Sequence, residues 1–187
     1  MKLVVGLGNP GSEYRDTRHN VGFRVIDFLC ARHCISLDCR RHQAIWGRGR
    51  IGRCPVVLAQ PLTFMNLSGR AVKTLLENLK GSPEDLLVVH DDIDLALGKI
   101  KLKYRGGDAG HGGIRSIVED IGINSFLRVR TGVGRPIKGS DVIDYVLSPF
   151  HPEELLEASK SIERAAVLVE DLLDKSVNDS WWEEDNP

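Results

Sequence analysis

Long apolar runs are missing from this chain of 187 residues, and so are several common catalytic signatures. No stretch approaches the roughly 20 apolar residues of a membrane-spanning helix, so no membrane partner is expected. The opening Lys2 then Leu3-Val4-Val5 is interrupted at once by Gly6 and Asn9. It is too short for the apolar region of a signal peptide, and the expected compartment is the cytoplasm. Cysteine is scarce: Cys30, Cys34, Cys39 and Cys54, with no C-x-x-C pair. Without an export signal these read as free thiols. A zinc site drawn from His33, Cys34, Cys39 and His42 stays open as an alternative, although its spacing matches no familiar pattern. Cys30 and Cys34 also suit one packed helix face. There is no G-x-x-x-x-G-K-[ST], no G-x-S-x-G and no H-E-x-x-H. That argues against P-loop nucleotide hydrolysis and against serine and zinc hydrolases of those types. No internal repeat or linker is visible, so residues 1–187 read as one domain, with an acidic, frayed tail from about 178.

Charge is present but unevenly placed. Residues 1–150 hold 22 Lys/Arg and 15 Asp/Glu, whereas residues 151–187 hold 3 and 11. A basic body with an acidic end favours a polyanionic partner, because each phosphate contact adds electrostatic affinity.

Residues 2–7 read as a buried strand ended by glycines. Residues 8–20 are polar and turn-rich. A helix is expected from about Val21 to Cys34, with Val21, Val25, Ile26, Leu29 and Cys30 on one stripe. Ala44–Ile51 and Pro55–Gln60 form a hairpin turned near Gly52-Arg53, which Pro61 ends. Thr63–Asn66 is a loop before a helix carrying Leu67, Ala71, Val72, Leu75, Leu76 and Leu79. Ser82-Pro83-Glu84-Asp85 is a helix-start signature on a short turn. Leu86–Val89 is a near-continuous apolar run, as in a central parallel strand, and it ends in His90-Asp91-Asp92. Lys99–Tyr104 alternates basic and apolar residues. Gly106–Gly113 is a second glycine-rich loop, containing His111, before a helix over 113–121. Phe126–Val133 is a strand with Arg128 and Arg130 on one face. Ile137–Pro149 looks mobile. An amphipathic helix over about Pro152–Lys175 turns Leu155, Ile162, Ala166, Val169 and Leu173 inward. The acidic end carries Trp181-Trp182, a candidate docking pair. Interleaved strands and helices predict the α/β class, with a central mixed, mostly parallel sheet flanked by helices.

Gly6-x-Gly8-x-x-Gly11 after a strand matches the dinucleotide fingerprint, and Asp38 supplies a candidate ribose ligand. The fingerprint needs a helix opening directly beneath the pyrophosphate. Here Pro10 occupies the loop and helical periodicity starts only near Val21, which argues against the cofactor. What remains is a histidine and a carboxylate at the sheet rim. His19 leaves the first rim loop and Asp91 ends the apolar strand. An imidazole with a pKa near 6.5 can take a proton from water, and a carboxylate on its other nitrogen fixes the tautomer. Asn9 and Asn66 are neutral donors and acceptors suited to holding a carbonyl or a water. Turn formation is the alternative role for Asn9, and a helix cap the alternative for Asn66. His90 reads as a packing histidine at the strand end.

At these residues the chain resembles the bacterial-type peptidyl-tRNA hydrolase family. The matching pieces are Gly6–Gly11, Tyr14, Thr17-Arg18-His19-Asn20-x-Gly22 and Thr63–Gly69. They continue with His90–Leu95, Gly110-His111-x-Gly113 and Arg128-x-Arg130-x-Gly132-x-Gly134. The resemblance implies one α/β domain and an esterase that cuts peptide from tRNA, without metal or organic cofactor. It implies His19 as the base that activates water, with Asp91 as its partner. Asn9 and Asn66 would position substrate and water, and Tyr14 and Met65 would line the cleft. It places tRNA contacts at Lys103 and Arg130; charge alone adds Arg105, Arg115, Arg128, Arg135 and Lys138. After Gly110-His111 the family commonly has Asn, associated with holding water or the peptide end. Gly112 stands there instead, leaving room for a water or a role for a backbone N–H. A related non-enzymatic RNA-binding protein is the alternative. No dimer signature is visible, so a monomer is expected.

Overall fold

The computed structural model describes residues 1–137 and 139–175. One seven-stranded sheet runs through it in the order β2-β3-β4-β1-β5-β7-β6. Its strands are β1 (Lys2–Gly6), β2 (Cys39–Arg41), β3 (Ala44–Ile51), β4 (Cys54–Pro61), β5 (Leu86–Asp92), β6 (Ile100–Lys103) and β7 (Leu127–Gly132). The central strands β4, β1, β5 and β7 are parallel. Antiparallel pairs close both edges, β2 and β3 on one side and β6 on the other. The helices are α1 (Val21–His33), α2 (Ser68–Leu79), α3 (Gly112–Ile121), α4 (Val142–Val146) and α5 (Leu155–Lys175).

Alternation on the strands decides which helix each side chain meets. Val4, Val56, Leu58, Leu87 and Val89 point to the face covered by α1 and α5. Leu3, Val5, Val57, Ala59 and Val88 point to the face covered by α2 and α3. Both faces are buried, which is why the central strands read as continuous apolar runs.

The chain leaves β1 towards β4 and later returns to β5 on the other side. The carboxyl ends of β1 and β5 therefore flank a switch point, where such sheets form their crevices. The approach of α1 to this point depends on a glycine. A Cβ on Gly22 would lie 2.5 Å from the Leu7 nitrogen, the Leu7 oxygen and the Val89 oxygen. Only hydrogen lets the first turn of α1 rest on the ends of β1 and β5.

Several expectations are revised. Residues 137–149 contain α4, which Tyr145 ties down by donating to the Val133 carbonyl at 2.8 Å. Ser82–Asp85 forms a capping box on a single 3-10 turn that runs straight into β5. Leu155 is exposed, because it sits in the first turn of α5, before the helix settles on the sheet. Cys34 is also exposed, since it ends α1 in the left-handed conformation rather than continuing the stripe from Cys30. The four cysteines are free. Trp181-Trp182 and the acidic end lie outside the described residues.

Gly22→Ala should therefore overpack this contact by about 1–3 kcal/mol. For a chain of this size that is a Tm lower by roughly 2–12 °C. A calorimetric Tm equal to wild type would mean that α1 does not need this approach.

Candidate active site

A buried carboxylate organises the rim. Asp91, near the end of β5, is 2 % exposed. Among the described residues no lysine or arginine pairs with it; two imidazoles do. His19 Nδ1 lies 2.8 Å from Oδ1 and 2.9 Å from Oδ2 of Asp91. His111 Nε2 lies 2.9 Å from Oδ1. The His111 tautomer is set from its far side, where Nδ1 accepts the N–H groups of Gly113 and Ile114 as the N-cap of α3. Nε2 of His111 must then carry the proton that it donates to Asp91. His90, the strand neighbour of Asp91, stands edge-on to His111 with ring centroids 4.7 Å apart. Its Nδ1 donates to the Asp91 carbonyl at 2.7 Å.

Electrostatics follow from this arrangement. Burial alone would raise the pKa of Asp91, but the two imidazoles facing it, His19 and His111, and their hydrogen bonds outweigh it and hold the carboxyl far below its usual range. Burial likewise opposes a charged His19, yet the Asp91 charge and hydrogen bond reverse that effect, and its pKa is raised above 6.5. Burial, with the His111 imidazole packed beside it, pushes His90 well below 6.5, so it is neutral packing. With Nδ1 on the carboxylate, His19 keeps a basic Nε2 lone pair.

His19 and Asp91 line a cleft of about 720 Å³. Asn9, Tyr14, Met65, Asn66 and Gly112 line it too, so every cleft residue expected from sequence comes together. Asn9 is buried and locked. Its main chain is held at both ends by Asn20, whose Oδ1 accepts the Asn9 N–H at 2.8 Å and whose Nδ2 donates to the Asn9 carbonyl at 2.9 Å. Asn9 Oδ1 accepts the Met65 N–H at 2.7 Å. Its Nδ2 remains as a donor. Asn66 is exposed and is not the cap of α2, whose N-cap is Leu67. A Cβ on Gly112 would meet only Asn66 Cβ, at 3.9 Å, so there is space beside it. The apolar wall includes Phe64, Ile93, Val142, Ile143 and Val146.

Two contributors were not singled out from sequence, His111 and Asn20. Both stood inside quoted motifs, but their partners are far away in the chain.

The basic residues separate into groups. Lys101, Lys103, Arg128 and Arg130 share one face of the β6–β7 pair. Arg130 Nε donates to Asp92 at 2.6 Å. Lys103 Nζ donates to the Gly107 carbonyl at 3.0 Å, and partial burial, with Arg128 and Arg130 beside it, lowers its pKa. Arg128 is a correction: it is 1 % exposed, and its guanidinium donates to the carbonyls of Gly106, Gly107 and Asn124. It props the glycine loop and presents nothing to a ligand. Arg105 is exposed, while Arg115 and Arg135 pair with Asp108 and Asp94. Lys138 lies outside the described residues.

Among the described residues, the one group of three or more His, Cys, Asp or Glu able to share an ion is His19, Asp91 and His111, with ligand atoms within 4.8 Å. The cysteine-based set does not converge; His33 pairs with Glu170 instead. The dinucleotide reading fails on geometry, since 3-10 turns at Ser12–Tyr14 and Arg18–Asn20 separate the glycine loop from α1.

Comparison with known proteins matches this chain, over residues 3–185, to the family model described as peptidyl-tRNA hydrolase. A peptidyl-tRNA hydrolase of Shouchella clausii is 45% identical over 94% of this chain and 95% of its own length. One from Bacillus cytotoxicus is 44% identical over the same shares. The crystal structure of the Acinetobacter baumannii peptidyl-tRNA hydrolase superposes with a TM-score of 0.88 at 39% identity, covering 95% of this chain and 90% of that one.

Asp91→Asn removes the charge that lifts His19 and leaves burial unopposed. The His19 imidazole, followed by NMR, should then titrate below 6.5 instead of above it. A titration unmoved by the substitution would mean that Asp91 does not set the basicity of His19.

Proposed function

The chain belongs to the peptidyl-tRNA hydrolase family, and from that membership and the geometry around Asp91 we propose that it hydrolyses the ester joining a peptide to tRNA. The observation that carries this reading is the contact of His19 Nδ1 with both oxygens of a buried, ionised Asp91 at the edge of the cleft. That contact leaves Nε2 as the acceptor for a proton from water.

The steps balance without a covalent enzyme intermediate. Water attacks the ester carbonyl carbon as its proton passes to His19 Nε2. The imidazolium is stabilised by Asp91, which stays ionised. Charge on the carbonyl oxygen needs a donor, and two are at hand. One is Asn9 Nδ2, aimed by the bond from Met65 N–H to Asn9 Oδ1. The other is the Gly112 N–H, at the start of α3, where the next two N–H groups are already taken by His111. Donors of this kind are each worth about 10²–10³ in rate. Collapse of the tetrahedral centre breaks the bond to the ribose oxygen, which receives the proton from His19. The peptide leaves as a carboxylic acid, which gives its proton to solvent, and free tRNA results.

An ester to a ribose hydroxyl is activated, so a positioned water and one base suffice. Asn66 and Tyr14, at the mouth, suit contacts to the acyl group or the terminal nucleotide. The face of β6–β7 that carries Lys101, Lys103 and Arg130 suits the phosphate backbone, whose charge would offset the crowding of cations there. No described helix is long and apolar enough to cross a membrane. The reading has the enzyme acting as a monomer in the cytoplasm, where its substrate is made.

Two experiments test it. Purified protein should cleave N-blocked aminoacyl-tRNA in EDTA, and His19→Ala should lose at least about 10³-fold in kcat while binding tRNA as well as wild type does. Binding without cleavage by the wild-type protein would favour the RNA-binding alternative. Lys103→Glu should raise KM and reduce the slope of log KM against log salt by about one. An unchanged slope would put the tRNA on another face.

A further inference from the structure

Arg18 immediately precedes the base and is one of the largest wholly buried side chains in the molecule, 0 % exposed. A buried guanidinium is costly unless its donors and charge are met. Among the described residues, the partners of its two Nη groups and of its cationic face come from a single distant segment, residues 145–154. Nη1 donates to Ser148 Oγ at 3.1 Å and to the Pro149 carbonyl. Nη2 pairs with the Glu154 carboxylate. The cation lies 4.4 Å from the Tyr145 ring centroid and 5.0 Å from that of Phe150. The main chain repeats the tie: Arg18 N–H donates to the Ser148 carbonyl at 3.0 Å, and Thr17 forms an isolated bridge with Pro149. Glu154 also accepts the His151 N–H at 2.7 Å, so the same carboxylate closes the turn into α5.

This segment continues directly from α4, which forms part of the cleft wall through Val142, Ile143 and Val146. Val142 and Ile143 are 42 % and 65 % exposed, large apolar side chains left for something to cover. One arginine thus joins the turn that carries the base to the α4 wall of the cleft. We propose that Arg18 is a positioning residue. It holds the α4 wall in register with His19, so that an apolar acyl side chain resting on Val142 and Ile143 brings its ester carbonyl to the base. Discrimination between bulky apolar and minimal acyl groups then depends on Arg18, although Arg18 touches neither substrate nor the reacting atoms. The inference rests on the assignment of this cleft to the acyl group.

The test uses full-length protein and two non-cleavable probes, the 3′-amide analogues of N-acetyl-leucyl-adenosine and N-acetyl-glycyl-adenosine. Calorimetric binding is read beside steady-state hydrolysis and thermal unfolding, well below each variant's Tm. Arg18→Lys keeps the charge but loses the planar fork. It should weaken the leucyl analogue, and lower kcat/KM on N-acetyl-leucyl-tRNA, by about tenfold or more. The glycyl analogue and inhibition by deacylated tRNA should stay within about twofold. Glu154→Gln, a milder change that serves if Arg18→Lys fails to fold, should move the same two quantities in the same direction. Equal loss on both analogues, or a lower Tm with binding of both unchanged, would assign Arg18 to fold stability alone and overturn the proposal. Wild-type binding of the leucyl analogue without hydrolysis would count against the hydrolase reading, while the leucyl-to-glycyl comparison still decides the role of Arg18.

Discussion

The site depends on one buried carboxylate whose ion-pair partners among the described residues are imidazoles, not permanent cations. Asp91 is compensated by imidazoles from two loops, which is unusual, because a buried charge normally takes an arginine or lysine. The consequence is chemical. A fixed cation would spend the field of Asp91 on structure. His19 leaves that field acting on a group that can change protonation. His111 cannot rotate away, because its other nitrogen caps α3. His19 is therefore the partner whose protonation the carboxylate can control, with Nε2 left towards the cleft.

The fold explains how such a pair can be held. Asp91 sits on a strand buried on both faces, so its backbone has no freedom. His19 stands on a 3-10 turn directly before α1, and α1 is pressed to the ends of β1 and β5 through Gly22. Asn20, the next residue, clamps Asn9, and Asn9 in turn holds Met65. Arg18, the preceding residue, reaches Tyr145 at the end of α4 and the segment that follows it. Three consecutive residues, Arg18-His19-Asn20, thus connect the base to α4, to the loop after β1 and to the loop after β4.

Much of this was legible in the sequence, because it is written in local patterns. Apolar runs marked the central strands, and the Gly52-Arg53 turn marked the hairpin. An acid ending a buried run put Asp91 at the rim. What escaped depends on tertiary contact. The period of two placed Arg128 beside Arg130 correctly, yet Arg128 is buried because carbonyls of the glycine loop fold over it. Nothing near His111 in sequence says that its Nε2 meets Asp91, 20 residues away. Leu155 fitted the helical stripe but precedes the point where α5 packs. The helix in 142–146 was hidden because, at five residues, it is too short to show a period.

The central claim is that a neutral His19, made more basic by Asp91, accepts the proton of the attacking water. The most direct test is the pH dependence of kcat/KM for an N-blocked aminoacyl-tRNA, measured beside the wild-type His19 imidazole titration. Activity should rise with pH through a single acid limb above 6.5, and this limb should coincide with the imidazole titration. A limb that falls elsewhere, or activity that stays level while His19 titrates, would contradict it.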